Sequence, residues 1–195
     1  MTAPPPVSNT AYDAAVTERV PSGSDAVASN EALVRRVFDD VVNARDLPAA
    51  DEICTPDAVI TVPGMRLSRG PEGLREFARS LHDGFDDIHV VIDDLIATED
   101  GVAARWHTDR QTHTGVYRGI PPTGRSVRTT GNNLYRIKDG RIRAAWVEAD
   151  SVGLAQQLGV VPPDDLSAGR RVVFMLGTII RLAYLQATAS RRSRT

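Results

Sequence analysis

The 195-residue sequence contains few of the residues on which metal, disulfide or nucleic-acid chemistry depends. Its single cysteine, Cys54, excludes an intramolecular disulfide framework and leaves no cysteine cluster for zinc. The net charge of -2 gives no general attraction to nucleic acids or anionic membranes. The N-terminal segment lacks the basic and apolar regions of a signal peptide, and no apolar run reaches the ~18 residues of a membrane span. We therefore expect a cytoplasmic protein with no nucleic-acid partner.

Composition divides the chain into three parts. Residues 1–28 are rich in Pro, Ser, Ala and Thr without apolar periodicity, which is typical of a flexible tail. Residues 29–163 carry the alternating patterns of a folded domain. Residues 164–195 combine an apolar helical pattern with a basic end. We therefore expect one domain with an N-terminal tail and a C-terminal extension.

Helical and strand patterns occupy different parts of the domain. Helices are predicted after Ser29, in the segment LPAADEIC, and from Pro71, which suits the first turn of a helix. Following a strand near residues 58–62, four further strands are predicted from IHVVIDDLIATED to RIRAAWVEA, and VGLAQQLG adds a final helical turn. Helices segregated from a mostly antiparallel sheet indicate the α+β class.

Several motifs then occur in one order: RGPEGLREF, DDLIATEDGVAARW, THTGVYRGIPPTGRSV, the YRIKDGRI hairpin and a D-x-x-G-L-x-Q-Q-L-G segment at 150–159. In this order they resemble the SnoaL-like polyketide cyclases, or ester cyclases, of the nuclear transport factor 2-like superfamily. The likeness covers roughly residues 30–163. It implies a conical barrel made of a curved sheet, with helices enclosing an apolar pocket. It also implies a homodimer formed through the outer sheet face and chemistry without a metal or an organic cofactor, often an intramolecular aldol ring closure.

The hairpin at Asp139-Gly140 sets which residues face each other. A three-residue loop with a bulge would place Asn133 opposite Ala145, whereas a two-residue loop would place it opposite Trp146. The family architecture favours the first arrangement. In that arrangement Gly131, Asn133, Ala145 and Val147 share one face.

The resemblance also shows which acid/base groups are missing. Relatives commonly carry an aspartate at the place of Val147 and a histidine or aspartate at the place of Asn133. The ketosteroid isomerase arrangement does not transfer either, since its tyrosine and aspartate would fall near Phe38 and Val62.

His113 is the remaining candidate for a general base, because an imidazole titrates near neutrality and relatives also have histidine there. The alternative is a histidine that binds the backbone of the neighbouring loop. Strand alternation places Trp106 on the inner face and His107 with Arg105 on the outer face, as a charge cluster.

The working hypothesis is a cyclase-type enzyme for a polyketide-like small molecule, with His113 and Asn133 as catalytic residues. Asn133 and Tyr135 would hold a developing oxyanion. Trp106, Phe38 and Val147 would shape an apolar substrate-binding cavity that holds the reactive conformer. One alternative is a binding or accessory protein without catalysis, supported by the missing acid/base groups. The other is a related hydrolase or isomerase.

The C-terminal extension departs from the family pattern. A helix is predicted from about Leu166 to Ala189, apolar nearly all round between Val172 and Ile180, with arginines on both sides. Such a helix needs cover from protein or from a membrane surface. Packing on its own domain or on a dimer partner is the favoured interpretation, and contact with a membrane surface is the alternative.

Overall fold

The computed structural model describes residues 25–192, except for the side chains of residues 181–183 and 187–192. Within these residues, five α-helices and five strands follow in the order expected for an α+β fold. The helices are α1 (Asp25–Arg36), α2 (Ala50–Ile53), α3 (Pro71–Gly84), α4 (Ser151–Leu158) and α5 (Ala168–Arg192). The strands are β1 (Cys54–Thr61), β2 (His89–Ala97), β3 (Gly101–Arg110), β4 (Thr130–Lys138) and β5 (Arg141–Ala149). A π-helix, Val37–Asn43, continues α1, and a 3-10 turn, Leu47–Ala49, precedes α2.

The strands form one curved sheet in the order β1-β5-β4-β3-β2. Strand β1 runs parallel to β5, while every other neighbouring pair is antiparallel. The sheet stays open between β1 and β2, so the expected barrel is incomplete, although the α+β fold and the enclosing helices are confirmed. Helices α1 and α3 and the π-helix pack on its inner face.

Helix α1 begins earlier than the sequence pattern indicates. It is already helical at Asp25, the first described residue, rather than from Ser29 or Asn30. Val27 is buried, and the Asn30 amide donates to the carbonyls of Thr98 and Glu99. The expected flexible tail overlaps this helix by four residues, and its remainder lies outside the described residues.

The π-helix at Val37–Asn43 was not expected, since its apolar rows have ordinary helical spacing. Its wider turn is shown by the Ala44 N–H, which donates to the Asp39 carbonyl at 2.8 Å. Asn43 exchanges two hydrogen bonds with the backbone of Val90, at 2.9 and 2.8 Å. These bonds connect the end of the π-helix to the edge strand β2, which offers a tertiary reason for the wider turn. Single π-turns are frequent near functional sites.

The β4–β5 register differs from both predicted alternatives. Asp139 and Gly140 form a two-residue turn, both with positive φ (52° and 69°), as a type I′ hairpin requires. A shift after Arg136 then adds one residue to β5, so that Asn133 pairs with Val147 rather than with Ala145 or Trp146. The shared inner face of Asn133 and Val147 is nevertheless confirmed, because both are buried.

Helix α5 is present, spanning Ala168–Arg192, but its expected cover on the domain is largely missing. Thr178 is buried and donates to the Gly159 carbonyl at 3.2 Å. Most of the large apolar side chains described along the helix are exposed. No helix within residues 25–192 combines the length and apolarity needed to cross a membrane.

Candidate active site

A cavity lies between the inner face of the sheet and the helices that cover it. Its empty volume is about 930 Å³, including the space at its open mouth. Its wall is mainly apolar, with contributions from the π-helix, α3, α4 and the inner faces of β3 to β5. The apolar lining includes Phe38, Val42, Val62, Phe77, Leu81, Ile88, Val90, Trp106, Val147, Leu154 and Leu158. A smaller space of about 370 Å³ adjoins it, sharing Phe38, Asn133 and Val147 and reaching Tyr135.

A row of hydrogen-bonded side chains crosses the inner face of the sheet. The Trp106 indole N–H donates to Asn133 Oδ1 at 3.0 Å, and Asn133 Nδ2 donates to the Tyr135 hydroxyl at 2.7 Å. Trp106 sits on β3, two residues along from Ala104, which pairs with Asn133 on β4. Burial raises the pKa of the Tyr135 phenol, which therefore stays neutral. The row fixes the Asn133 amide and leaves its second N–H without a protein partner in the described residues.

A second fixed amide belongs to Gln111, which is only 4% exposed. Its Oε1 accepts from the hydroxyls of Thr108 and Thr129, at 2.9 and 2.8 Å. Thr108 Oγ1 also accepts the Thr129 N–H at 2.8 Å, which leaves its hydroxyl proton to donate to Gln111 Oε1. The Nε2 group therefore carries two N–H donors at the cavity lining, and no residue of the described part accepts from them.

Phe38, Trp106, Asn133 and Val147, four of the predicted site residues, line this cavity together. Tyr135 lines only the adjoining space, beside Asn133. Phe38 packs edge-on against the Tyr135 ring, with the ring centroids 6.5 Å apart. These residues therefore share one cavity wall, and the roles assigned to them stay predictions.

Ionisable groups are scarce in this lining. The described lining residues include the phenol of Tyr117 and the guanidinium of Arg118, but no carboxylate, thiol or imidazole. Arg118 is exposed, and its guanidinium lies 5.7 Å from the centroid of the Tyr117 ring. No group of described acidic residues and histidines could bind a metal ion.

His113 lies outside this lining and is fully buried. Its Nδ1 accepts the Thr123 N–H at 3.2 Å, so the neutral ring has its proton on Nε2. Nε2 has no partner among the described residues. The ring packs on Phe85, with centroids 5.4 Å apart, and burial lowers the pKa of His113. This position matches the alternative, a histidine that binds the loop backbone, and gives the ring no contact with the cavity.

The outer face of β3 bears the expected charge cluster. His107 Nδ1 lies 2.8 Å from the Asp93 carboxylate, and Arg105 lies 3.5 Å from the same carboxylate. At the same end of the sheet, Asp150 accepts the Gly153 N–H at 2.8 Å and caps α4, so its role is structural.

The residues predicted for the site did not include Gln111, Thr129 or Arg118. Gln111 follows the last residue of β3, where strand alternation no longer indicates a side-chain direction. Its position depends on pairing with a segment 18 residues further along the chain. The only local signal is an uncharged polar residue close to the inward-facing Trp106 and Thr108.

Comparisons with known proteins agree with this geometry. A family model described as SnoaL-like polyketide cyclase matches residues 32–158. IdmH from Streptomyces antibioticus, a candidate polyketide cyclase, is 32% identical, with 67% of this chain and 99% of IdmH covered and a TM-score of 0.58. AclR from Streptomyces galilaeus, a candidate hydroxylase, is 25% identical, with 70% and 99% covered and a TM-score of 0.61. A candidate SnoaL-like polyketide cyclase from Jannaschia sp. CCS1 shares the fold at 22% identity, with 74% and 100% covered and a TM-score of 0.66. No curated protein sequence matches the chain.

Proposed function

The chain belongs to the SnoaL-like polyketide cyclase family, and on this premise we propose that it promotes ring closure of a polyketide-like small molecule bound in the cavity. The observation that carries the proposal is an apolar cavity whose buried amides, Asn133 and Gln111, each keep unused N–H donors. An unused donor in an apolar wall favours a ligand that brings an acceptor to it, since a buried donor without a partner is unfavourable by about 1–3 kcal/mol. Carbonyl oxygens spaced along an apolar carbon chain satisfy that requirement.

The two amides suit the stabilisation of negative charge on an oxygen. Both are fixed by hydrogen bonds to the protein before any ligand arrives, so they need little reorganisation when charge develops on an enolate or aldolate oxygen. Neither amide titrates, so this contribution is independent of pH. Each such donor typically contributes about 10²–10³ in rate.

No described side chain of the cavity lining is an obvious base for the proton-transfer step. The sequence assigns it to His113, but a base must contact the atom from which it takes the proton, and His113 is not part of the lining. We therefore propose a substrate with acidic C–H groups between two carbonyls, which ionises to solvent water without a strong protein base. The cavity would then act by holding the folded conformer and by binding the oxygen.

Non-catalytic binding of the same class of molecule is the second candidate. It is favoured by the lack of carboxylate, thiol and imidazole groups among the described lining residues. The two candidates make the same prediction for binding and opposite predictions for turnover.

The test measures binding and turnover separately. Trp106 lines the cavity and Trp146 lies on the outer face, so a Trp146→Phe variant reports binding of a polyketide-like ligand through Trp106 fluorescence. Turnover of the same compound is followed by mass spectrometry. Gln111→Leu should lower the ring-closure rate by about 10² or more. Val152→Gln, at an exposed position of α4 outside the cavity lining, serves as the control. Binding without turnover would support the non-catalytic candidate, and no binding of any oxygen-bearing apolar compound would contradict both.

We also propose that the protein forms a homodimer through the outer face of its sheet. Trp146 pairs with Leu134, Leu134 with Ala103, and Ala103 with Ile96, so a row of apolar side chains crosses this face. Trp146, Leu134 and Ile96 are all exposed. An exposed apolar row on the outer face of a sheet is typical of self-association. Sedimentation of a 21.1 kDa species at micromolar concentration would contradict the dimer.

A further inference from the structure

Helix α5 has two sides with different surroundings. Phe174, Thr178 and Leu185 follow a helical spacing that places them on one side, and all three are buried or half-buried. The opposite side carries large apolar residues that are 58–72% exposed, namely Val172, Val173, Leu176, Ile179, Ile180 and Tyr184. The apolar face of the helix therefore points away from the domain.

The charges on this segment all have one sign. Residues 168–195 contain six arginines and no aspartate or glutamate. Arg170 and Arg171 are exposed in the first turn of α5, ahead of the apolar residues. Arg191 and Arg192 follow at the other end of the helix. An exposed apolar face between clusters of positive charge is the pattern of helices that lie in the interface of anionic membranes.

We propose that the outward face of α5 binds the surface of an anionic lipid membrane. The helix would lie in the plane of the interface with its apolar face among the acyl chains. Its buried side, with Thr178 bonded to Gly159, already rests on the domain, so the domain would stay on the water side of the helix. The arginines at both ends would meet lipid phosphates.

Charge complementarity favours lipid over a second copy of the helix. Antiparallel pairing of two α5 helices through the outward faces would bring Arg170 and Arg171 of one copy close to Arg191 and Arg192 of the other. Parallel pairing would bring identical arginines together. The segment has no carboxylate to compensate for this repulsion. An anionic lipid surface supplies the missing negative charge.

The experiment measures partition of the full chain onto vesicles by flotation. One set of vesicles contains equal parts of phosphatidylglycerol and phosphatidylcholine, and the other contains phosphatidylcholine alone. We expect partition onto the anionic set that weakens with added salt. Three arginines are replaced together, as Arg170→Gln, Arg191→Gln and Arg192→Gln. Since each arginine contributes about fivefold, the partition coefficient should fall by about 10².

The apolar contribution is tested with Leu176→Asp combined with Ile180→Asp. These residues share the outward face, so their replacement should abolish partition without lowering the melting temperature. Val152→Asp is the matched control, because Val152 is an equally exposed apolar residue, 62% exposed, on α4 outside the cavity lining. That control should partition like the unmodified chain.

Three results would overturn the proposal. The full chain could fail to partition onto anionic vesicles. It could partition equally onto both sets, with no effect of the arginine replacements. Finally, the Leu176→Asp and Ile180→Asp variant could change the sedimentation of the protein while vesicles bind nothing, which would identify a second copy as the partner. None of these results bears on the cavity, so the function proposed for it is tested independently.

Discussion

The replacement Val147→Asp tests whether the cavity is as apolar as its lining indicates. Val147 is 6% exposed and pairs with Asn133. It lines both the cavity and the smaller space that adjoins it. A carboxyl group placed there loses its water, which should raise its pKa by about 2–3 units, less than the limit for full burial because Asn133 can donate a hydrogen bond. At 1.36 kcal/mol per unit, the variant should lose about 3–4 kcal/mol of unfolding free energy when the carboxyl is ionised.

The pH dependence follows from the sign of this shift. A raised pKa means that the folded protein binds the proton more tightly than the unfolded chain does. The stability of Val147→Asp is therefore fully retained below the unfolded pKa of about 3.9, and it is lost as the pH rises towards the folded pKa. Above that value the loss should remain constant.

Val147→Asn is the matched control, since the asparagine side chain has nearly the same shape as aspartate and cannot ionise. Urea denaturation of both variants from pH 4 to pH 8 gives the difference in unfolding free energy at each pH, and the acid titration of the remaining residues cancels. A difference that stays constant over this range would show that position 147 is solvated. The assignment of Val147 to the cavity wall would then be wrong.

Three further predictions concern other parts of the molecule. Asn133→Leu removes the acceptor of the Trp106 N–H, so urea denaturation should show an unfolding free energy lower by about 1–3 kcal/mol. Because burial lowers the pKa of His113, the unfolded chain takes up a proton that the folded chain does not, and stability should fall below about pH 6.5 by up to about 1.4 kcal/mol per pH unit. His113→Ala should reduce that slope and lower the melting temperature; an unchanged slope would contradict the assignment. Truncation after Pro163 should leave a folded domain that is no more prone to aggregate in light scattering, since it removes exposed apolar surface rather than uncovering a core.

Local patterns in the sequence were sufficient for much of the fold. Alternation along β3 correctly separated the inward Trp106 from the outward His107, because successive side chains of a strand point to opposite faces. Asp150 caps α4 through a bond to Gly153, and such capping depends on the next few residues alone. The shared inner face of Asn133 and Val147 could also be anticipated, since both positions follow from strand alternation.

Tertiary structure alone decided the details of the site. One extra residue in β5, opposite the step from Arg136 to Ile137, makes Val147 the partner of Asn133. Neither of the two predicted turn types includes that shift. Hydrogen bonds to Thr108 and Thr129 hold Gln111 at the cavity lining. A hydrogen bond from the Thr123 N–H holds His113 outside it. These positions depend on which distant segments meet, whereas periodicity and capping depend only on neighbouring residues. The sequence by itself therefore determined the fold class and the apolar wall, and long-range packing determined which polar groups face the cavity.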